Sequence, residues 1–267
     1  FQLLTFISFA LVAAYVPLSP SMHVLAESFM LCLICPTATA AAVVTRKLGG
    51  DVPGITTYII LINLLTAVLV PLLVPLVHPV AEIDFWTAFS MIMAKVFPLL
   101  IMPCMAAWLV RYLFPKVHRW LLKFPDLAFY IWAFALTLAI ALTTRFIVHS
   151  EMSTLMLLLM ALISLVCCVF QFAAGRFVGR CYRSGDCRSE PAMTSDCHAR
   201  PDRASMQASR EITAGQSLGQ KNTIFAIWMA YTFMTPETSI VGGLYSIWHN
   251  IYNSWQLYRA SKDTKDC

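Results

Sequence analysis

Gly215-Gln216-Ser217-Leu218-Gly219-Gln220-Lys221-Asn222-Thr223 is a polar run set between apolar stretches, inside a segment near 209–233 that otherwise reads as a membrane-crossing helix. Polar groups in hydrocarbon must find partners, so such a run belongs where protein or a cavity covers it. Lys221 makes the demand sharpest. A lysine at the centre of a spanning helix costs roughly 2.5–3.5 kcal/mol on the insertion scale. It lies about a dozen residues, ~18 Å, from either end of its segment, too far for its ammonium to reach the interface. The run therefore predicts an interrupted helix beside a cavity or an acidic partner.

A second interruption stands near the other end of the chain. The segment near 22–48 carries Cys35-Pro36-Thr37-Ala38-Thr39, a proline with small and hydroxylated neighbours in mid-span. Pro36 lacks the N–H that a helix interior needs. Transporters built from inverted repeats put interrupted helices at matching points of their two halves, near the bilayer midplane, where substrate and coupling ion bind.

Composition supplies the solvent. Of 267 residues, 59% are hydrophobic and 12% charged, against roughly 25% charged in a soluble domain. Mean hydropathy is +0.70. A chain with so little polar surface could not cover itself in water, so lipid is its medium. The formal charge of +5 is modest, and no basic patch suits nucleic acid.

At about 20 apolar residues per span, eight segments emerge, near 1–17, 22–48, 52–77, 85–114, 127–148, 152–180, 209–233 and 237–260. Their connections alternate in charge. Arg46 and Lys47, then Arg111 to Lys123, then Arg176 to Arg188, then Arg259 to Lys265 form a basic set, while Leu18–Ser21, His78–Asp84, His149–Glu151 and Thr235–Glu237 are poor in Lys and Arg. The positive-inside rule makes the basic set and the C-terminus cytoplasmic. This predicts a multi-pass protein of the cell (inner) membrane. Arg145 stands out, one turn inside the outer end of its segment, within reach of the interface.

Residues 181–208 read as a flexible cytoplasmic loop, and 261–267 as a cytoplasmic tail. Cys181, Cys187, Cys197 and His198 lack the paired spacing of a zinc site. Most other cysteines sit in apolar runs, as small hydrophobes do. Cys32-x-x-Cys35 has no βαβ setting to make it redox-active. No metal site or cofactor is expected. The chain opens with Phe1 inside an apolar run, which suggests that upstream helices are missing.

Cys35-Pro36-Thr37-Ala38-Thr39-Ala40-Ala41-Ala42-Val43-Val44-Thr45 with Gly50-Asp51-Val52 is similar to C-P-G-G-x-x-S-N-x-x-[ST] and a trailing G-[DN]-V. Gly219-Gln220-Lys221-Asn222-Thr223 resembles G-x-Q-N-[ST]-G, Ser246-Ile247-Trp248-His249-Asn250 resembles S-x-W-H-N, and Pro71-Leu72-Leu73-Val74-Pro75 resembles P-L-L-x-P. Together these motifs resemble those of the bile acid:sodium symporter family, in a bacterial-type form. The resemblance spans about residues 1–260. It implies an all-α integral membrane protein: about eight transmembrane helices of a ten-helix inverted-repeat fold with two discontinuous crossing helices. Residues 1–78 would be the remainder of the first repeat and 79–260 the second.

The resemblance also implies a symporter that moves a small organic anion, whether bile-acid-like, steroid-conjugate or carboxylate, by alternating access, working as a monomer in lipid. The expected substrate and ion path is Pro36, Thr37, Thr39, Ala41, Ala42, Gln216, Gln220, Lys221, Asn222, Thr223, His249 and Asn250. Here the pattern breaks. The family's Ser-Asn sodium ligands fall on Ala41 and Ala42, its Glu on Gln216 and the Asn after its Gln on Lys221; only Gln220 is kept. A hard cation wants several oxygens, so sodium is disfavoured. The Lys221 ammonium would fill the ion's place or couple transport to protons.

Three other readings compete, and one of them, a cation/proton exchanger of similar fold, would normally carry paired intramembrane Asp residues, which this sequence lacks. An intramembrane enzyme would need a nucleophile–base pair or metal ligands in the span, and His249 has no such companion, so no enzyme is expected. A transport-inactive sensor, a degenerate relative of the family, is the alternative reading of the lost ion ligands.

Overall fold

The computed structural model describes residues 11, 19–77, 84–124, 126–182 and 203–263. Among them the chain is helical throughout, apart from an isolated bridge. The helices are α1 (Pro20–Ile34), α2 (Ala40–Lys47), α3 (Val52–Val77), α4 (Phe85–Leu113), α5 (Pro115–Leu121), α6 (Leu127–Val148), α7 (Thr154–Cys181), α8 (Arg203–Gly219), α9 (Thr223–Phe233) and α10 (Ser239–Asp263). A 3₁₀ turn at Pro236–Thr238 leads into α10.

Local chemistry sets several boundaries. The Ser19 hydroxyl accepts from the Met22 amide at the start of α1, with Pro20 at the first helical position, where its missing N–H costs nothing. Asp84 and Ser153 cap α4 and α7 in the same way. Pro71 and Pro75 lie inside α3 and Pro98 and Pro103 inside α4. Interior prolines are tolerated in membrane helices because neighbours satisfy the freed carbonyls.

Among the described residues four helices are long and apolar enough to cross a membrane: Val52–Pro75 of α3, α4, α6 and α7. Eight segments are expected from sequence, and the difference has physical causes. The segment near 1–17 lies outside the described residues except for Leu11. The apolar pieces α1 and α9 are cut short by the two breaks. The end of the segment near 237–260 carries a polar stripe that the structure buries, which lowers its hydropathy. Large apolar side chains such as Trp108, Phe134, Leu158 and Val169 stand exposed on α4, α6 and α7, as suits faces turned to lipid rather than to water.

The loop expected over 181–208 ends sooner than its composition suggests. Residues 183–202, with Cys187, Cys197 and His198, lie outside the described residues, but 203–208 already belong to α8. That turn is held by packing on α7. Gln207 Nε2 donates to the carbonyls of Gly179 and Arg180, and Arg210 Nη1 donates to that of Tyr182. These bonds fill carbonyls left open at the C-terminus of α7. The two helices run close. A Cβ on Gly175 would collide with the Ala214 carbonyl, and one on Gly179 would lie 2.8 Å from that of Arg210. Gly175 and Gly179 thus form a small-xxx-small contact.

The core gathers α1, α7, α9 and α10 around Met30, Leu31, Met160, Phe172, Met229, Ile240 and Tyr245, with Val70 and Val74 of α3 and Ile92 and Val96 of α4. Basic residues collect at one end. Arg46 and Lys47 approach Asp126 at 3.9 and 3.5 Å, joining the end of α2 to the start of α6. The Asp51 amide donates to Thr213, and two residues earlier in α8 Glu211 pairs with Arg180 at 2.9 Å.

Candidate functional site

Helical hydrogen bonding stops twice, between Ile34 and Ala40 and between Gly219 and Thr223. The two breaks lie against each other. Thr37 and Lys221 form an antiparallel bridge, with the Ala38 amide donating to the Gln220 carbonyl at 3.0 Å and the Asn222 amide to the Pro36 carbonyl at 2.8 Å. Each break thus supplies what the other lacks, and Pro36, which has no N–H to offer, serves as an acceptor. The Thr37 hydroxyl donates to the Ser217 carbonyl at 2.6 Å, and the Cys35 thiol lies 2.8 Å from the Asn222 carbonyl.

The carbonyls at the C-terminal ends of the interrupted pieces are covered from the side. Tyr245 of α10 donates to the Gly219 carbonyl, and Gln171 Nε2 of α7 donates to the Cys32 carbonyl and to the Tyr245 hydroxyl.

On the N-terminal side the breaks open on a cavity of about 380 Å³. Ala38, Thr39 and Ala40 bring the start of α2 to it, and Asn222 and Thr223 the start of α9; Ser246, His249 and Asn250 of α10 complete the polar lining. The α6 wall is apolar and includes Trp132. Among the described residues no carboxylate lines the cavity. Helix starts carry partial positive charge, and Asn222 caps α9 by accepting from the Phe225 amide at 3.2 Å.

A family model described as the SBF-like CPA transporter family matches residues 1–261. The chain belongs to that family. No curated protein matches it. Membership in the SBF-like CPA transporter family makes this a transporter-family membrane protein, in line with the symporter resemblance of its motifs, and agrees with the expectation of no enzymatic role.

Within this SBF-like chain the expected path residues separate into three groups. Thr39, Lys221, Asn222, Thr223, His249 and Asn250 border the cavity. Pro36 and Thr37 build the pairing between the breaks. Ala41 and Ala42 do neither, because they pack on Ile55 and Ile59 of α3 in a small apolar cluster. Gln216 and Gln220 are buried behind the cavity. Gln216 Nε2 donates to Asn253 Oδ1 and Gln256 Oε1, both at 3.0 Å, and neither amide atom of Gln220 has a hydrogen-bond partner among the described residues.

Lys221 is 1% exposed, and its Nζ has no hydrogen-bond partner among the described residues. Besides the large cavity it borders a void of about 10 Å³ bounded by Leu31, Cys32, Cys35 and Tyr245, barely the size of one water. The acidic partner anticipated as one option does not pair with it. Lys221 instead stands beside the C-terminal end of α1, where helix carbonyls concentrate partial negative charge.

Asn253 and Gln256 were missed in the sequence. Their signal is spacing: Ser246, His249, Asn250, Asn253 and Gln256 recur every three or four residues, one face of a helix. All five are buried. Glu27 is fully buried; it accepts from the Thr238 hydroxyl at 2.9 Å and sits 3.0 Å from His23 Nδ1.

Proposed function

We propose that this chain is a secondary active transporter that carries a small organic anion across the cytoplasmic membrane by alternating access, with the crossing of two discontinuous helices of an inverted-repeat fold as its centre. One observation carries this reading: the N-terminal ends of α2 and α9 border one cavity, and no carboxylate lines it among the described residues. Helix starts favour anions, and an anion there meets no like charge. Thr39, Asn222, Thr223, His249 and Asn250 supply hydrogen-bonding groups, and Trp132 an apolar wall.

Coupling does not use sodium on this reading. Carriers of this design hold their cation at the C-terminal ends of half-helices. Here that neighbourhood holds the Lys221 ammonium, while Ala41 and Ala42 offer no side-chain oxygen and are packed in an apolar contact. The ammonium stands in for the ion, and a proton exchanged there would be the coupling species. The clustering of basic residues at one end supports a cytoplasmic C-terminus.

The test is uptake of labelled organic carboxylates and sulfonates into proteoliposomes. The expected result is saturable uptake that survives replacement of sodium by choline. Strict sodium dependence overturns the coupling scheme. Binding of an anion without any flux would favour the second reading, a transport-inactive sensor, which the missing ion oxygens also support.

A further inference from the structure

A second cavity, of about 620 Å³, lies along α6 and α9 toward the end of α6 away from the basic cluster. It meets the first at Ala139 and Ile224, which line both. Along α6 its lining positions fall at spacings of three and four, one face of the helix. The same helix face therefore walls both cavities.

The chemistry of the second cavity differs from that of the first. Phe146 of α6 and Tyr231 of α9 stack at 5.6 Å with planes 23° apart, and Trp228 adds a third aromatic face. Arg145 lines this cavity, and among the described residues no carboxylate does. Among the described residues Arg145 makes no ion pair. Arg145 is exposed one turn inside the outer end of its segment, so its charge is open both to the interface and to a ligand in the cavity. Its backbone carbonyl holds His149 Nδ1 at 2.9 Å, which turns that ring onto the same end of the helix.

We propose that Arg145 is the anion-recognising residue of a second ligand subsite. The subsite would take an amphiphilic monoanion, its acidic group paired with the guanidinium and its flat apolar body laid against Trp228 and the Phe146–Tyr231 pair. One fixed positive charge in a lining otherwise made mostly of aliphatic and aromatic side chains selects a single negative charge and rejects cations and dianions. Aromatic walls favour planar bodies by offset stacking. Arginine pairs carboxylate and sulfonate oxygens in bidentate fashion, which a lysine does not reproduce. Arg145 lies six residues, about 9 Å along the helix, from Ala139, so a ligand held here is at the mouth of the break cavity. This inference deepens the carrier reading and rests on it for the ligand's destination, not for its binding.

The experiment uses the full chain in lipid nanodiscs with 1-pyrenebutyrate and its neutral amide, followed by pyrene anisotropy and by energy transfer from tryptophan to pyrene, with empty nanodiscs as the blank. The carboxylate should bind the protein about ten-fold more tightly than the amide, the usual worth of a charge-assisted hydrogen-bonded pair. Arg145→Gln should remove that preference, Arg145→Lys should keep part of it, and Trp228→Phe should lower the energy transfer. Equal affinity of carboxylate and amide in the unmodified protein overturns the proposal, as does a preference that survives in Arg145→Gln. The comparison of the two ligands in the unmodified protein needs no variant, so misfolding of Arg145→Gln leaves the proposal exposed to refutation. The two readings fail separately. A binding preference without flux of any anion defeats the carrier alone, while flux whose KM is unmoved by Arg145→Gln defeats the subsite alone.

Discussion

The hydroxyl of Tyr245 in α10 donates to the carbonyl of Gly219, the last residue of α8, at 2.8 Å. Through Gln171, which lies 3.3 Å from that hydroxyl and 3.2 Å from the Cys32 carbonyl, one hydrogen-bonded chain reaches the C-terminal ends of both interrupted pieces. Helix ends leave carbonyls without partners, and in hydrocarbon no water can take them. These side chains let the breaks persist.

Tyr245→Phe should therefore destabilise the protein by about 1–3 kcal/mol, the cost of an unsatisfied buried acceptor. A lowered Tm in detergent is the readout. Gln171→Leu should act in the same direction, and the two losses should fall short of their sum, because the residues share a bond. Fully additive losses would show that the chain of bonds does not act as a unit.

Lys221→Met keeps much of the side-chain volume and removes the ammonium. A buried charge with no opposite partner is itself a cost, so Tm should hold or rise. Anion uptake in proteoliposomes should fall at least about ten-fold, a loss of ~1.4 kcal/mol or more in transport competence. Unchanged uptake would remove Lys221 from the mechanism.

Gln216→Glu tests the lost ion site directly. Gln216 now donates to Asn253 and Gln256, and a carboxylate there would face two acceptor oxygens with nothing to donate. The variant should have a lower Tm than the unmodified protein in choline chloride. Sodium chloride should restore part of the difference, since a bound cation stabilises by mass action. A Tm indifferent to sodium would mean that one carboxylate does not rebuild the site.

Gly175→Val probes the contact between α7 and α8. A side chain there meets the Ala214 carbonyl, which is backbone and cannot rotate away, and overpacking of this kind costs about 1–3 kcal/mol. Loss of Tm with a matching loss of uptake is expected, because α8 carries Gln216 and Gln220. Gly54→Ala is the control: its added methyl meets the Asp51 carboxylate, a side chain that can move, so a smaller loss is expected.

Much of this was legible before any coordinates. Pro36 and the run from Gln216 to Asn222 announced the breaks because neither suits a helix in lipid, and hydropathy delimited α3, α4, α6 and α7 to within a few residues. Other features were not legible. Ala41 and Ala42 stood on the expected path by motif alignment, yet α2 turns them onto Ile55 and Ile59. Residues 203–208 read as loop by composition, but α7 supplies their hydrogen bonds and makes them helix. The amide cluster of Gln216, Asn253 and Gln256 joins residues 37 and 40 positions apart, a relation that local spacing on α10 hints at but cannot complete.

The solvent, the helical class and the two points where the helix had to stop follow from transfer costs that act residue by residue, and so they can be read along the chain. That Thr37 lies opposite Lys221 and that Tyr245 and Gln171 cover the open carbonyls depends on packing, because those pairings join residues far apart in the chain. Packing also decides that Arg145 lines a cavity: spacing along one helix says which residues share a face, and the packing of other helices says what that face meets.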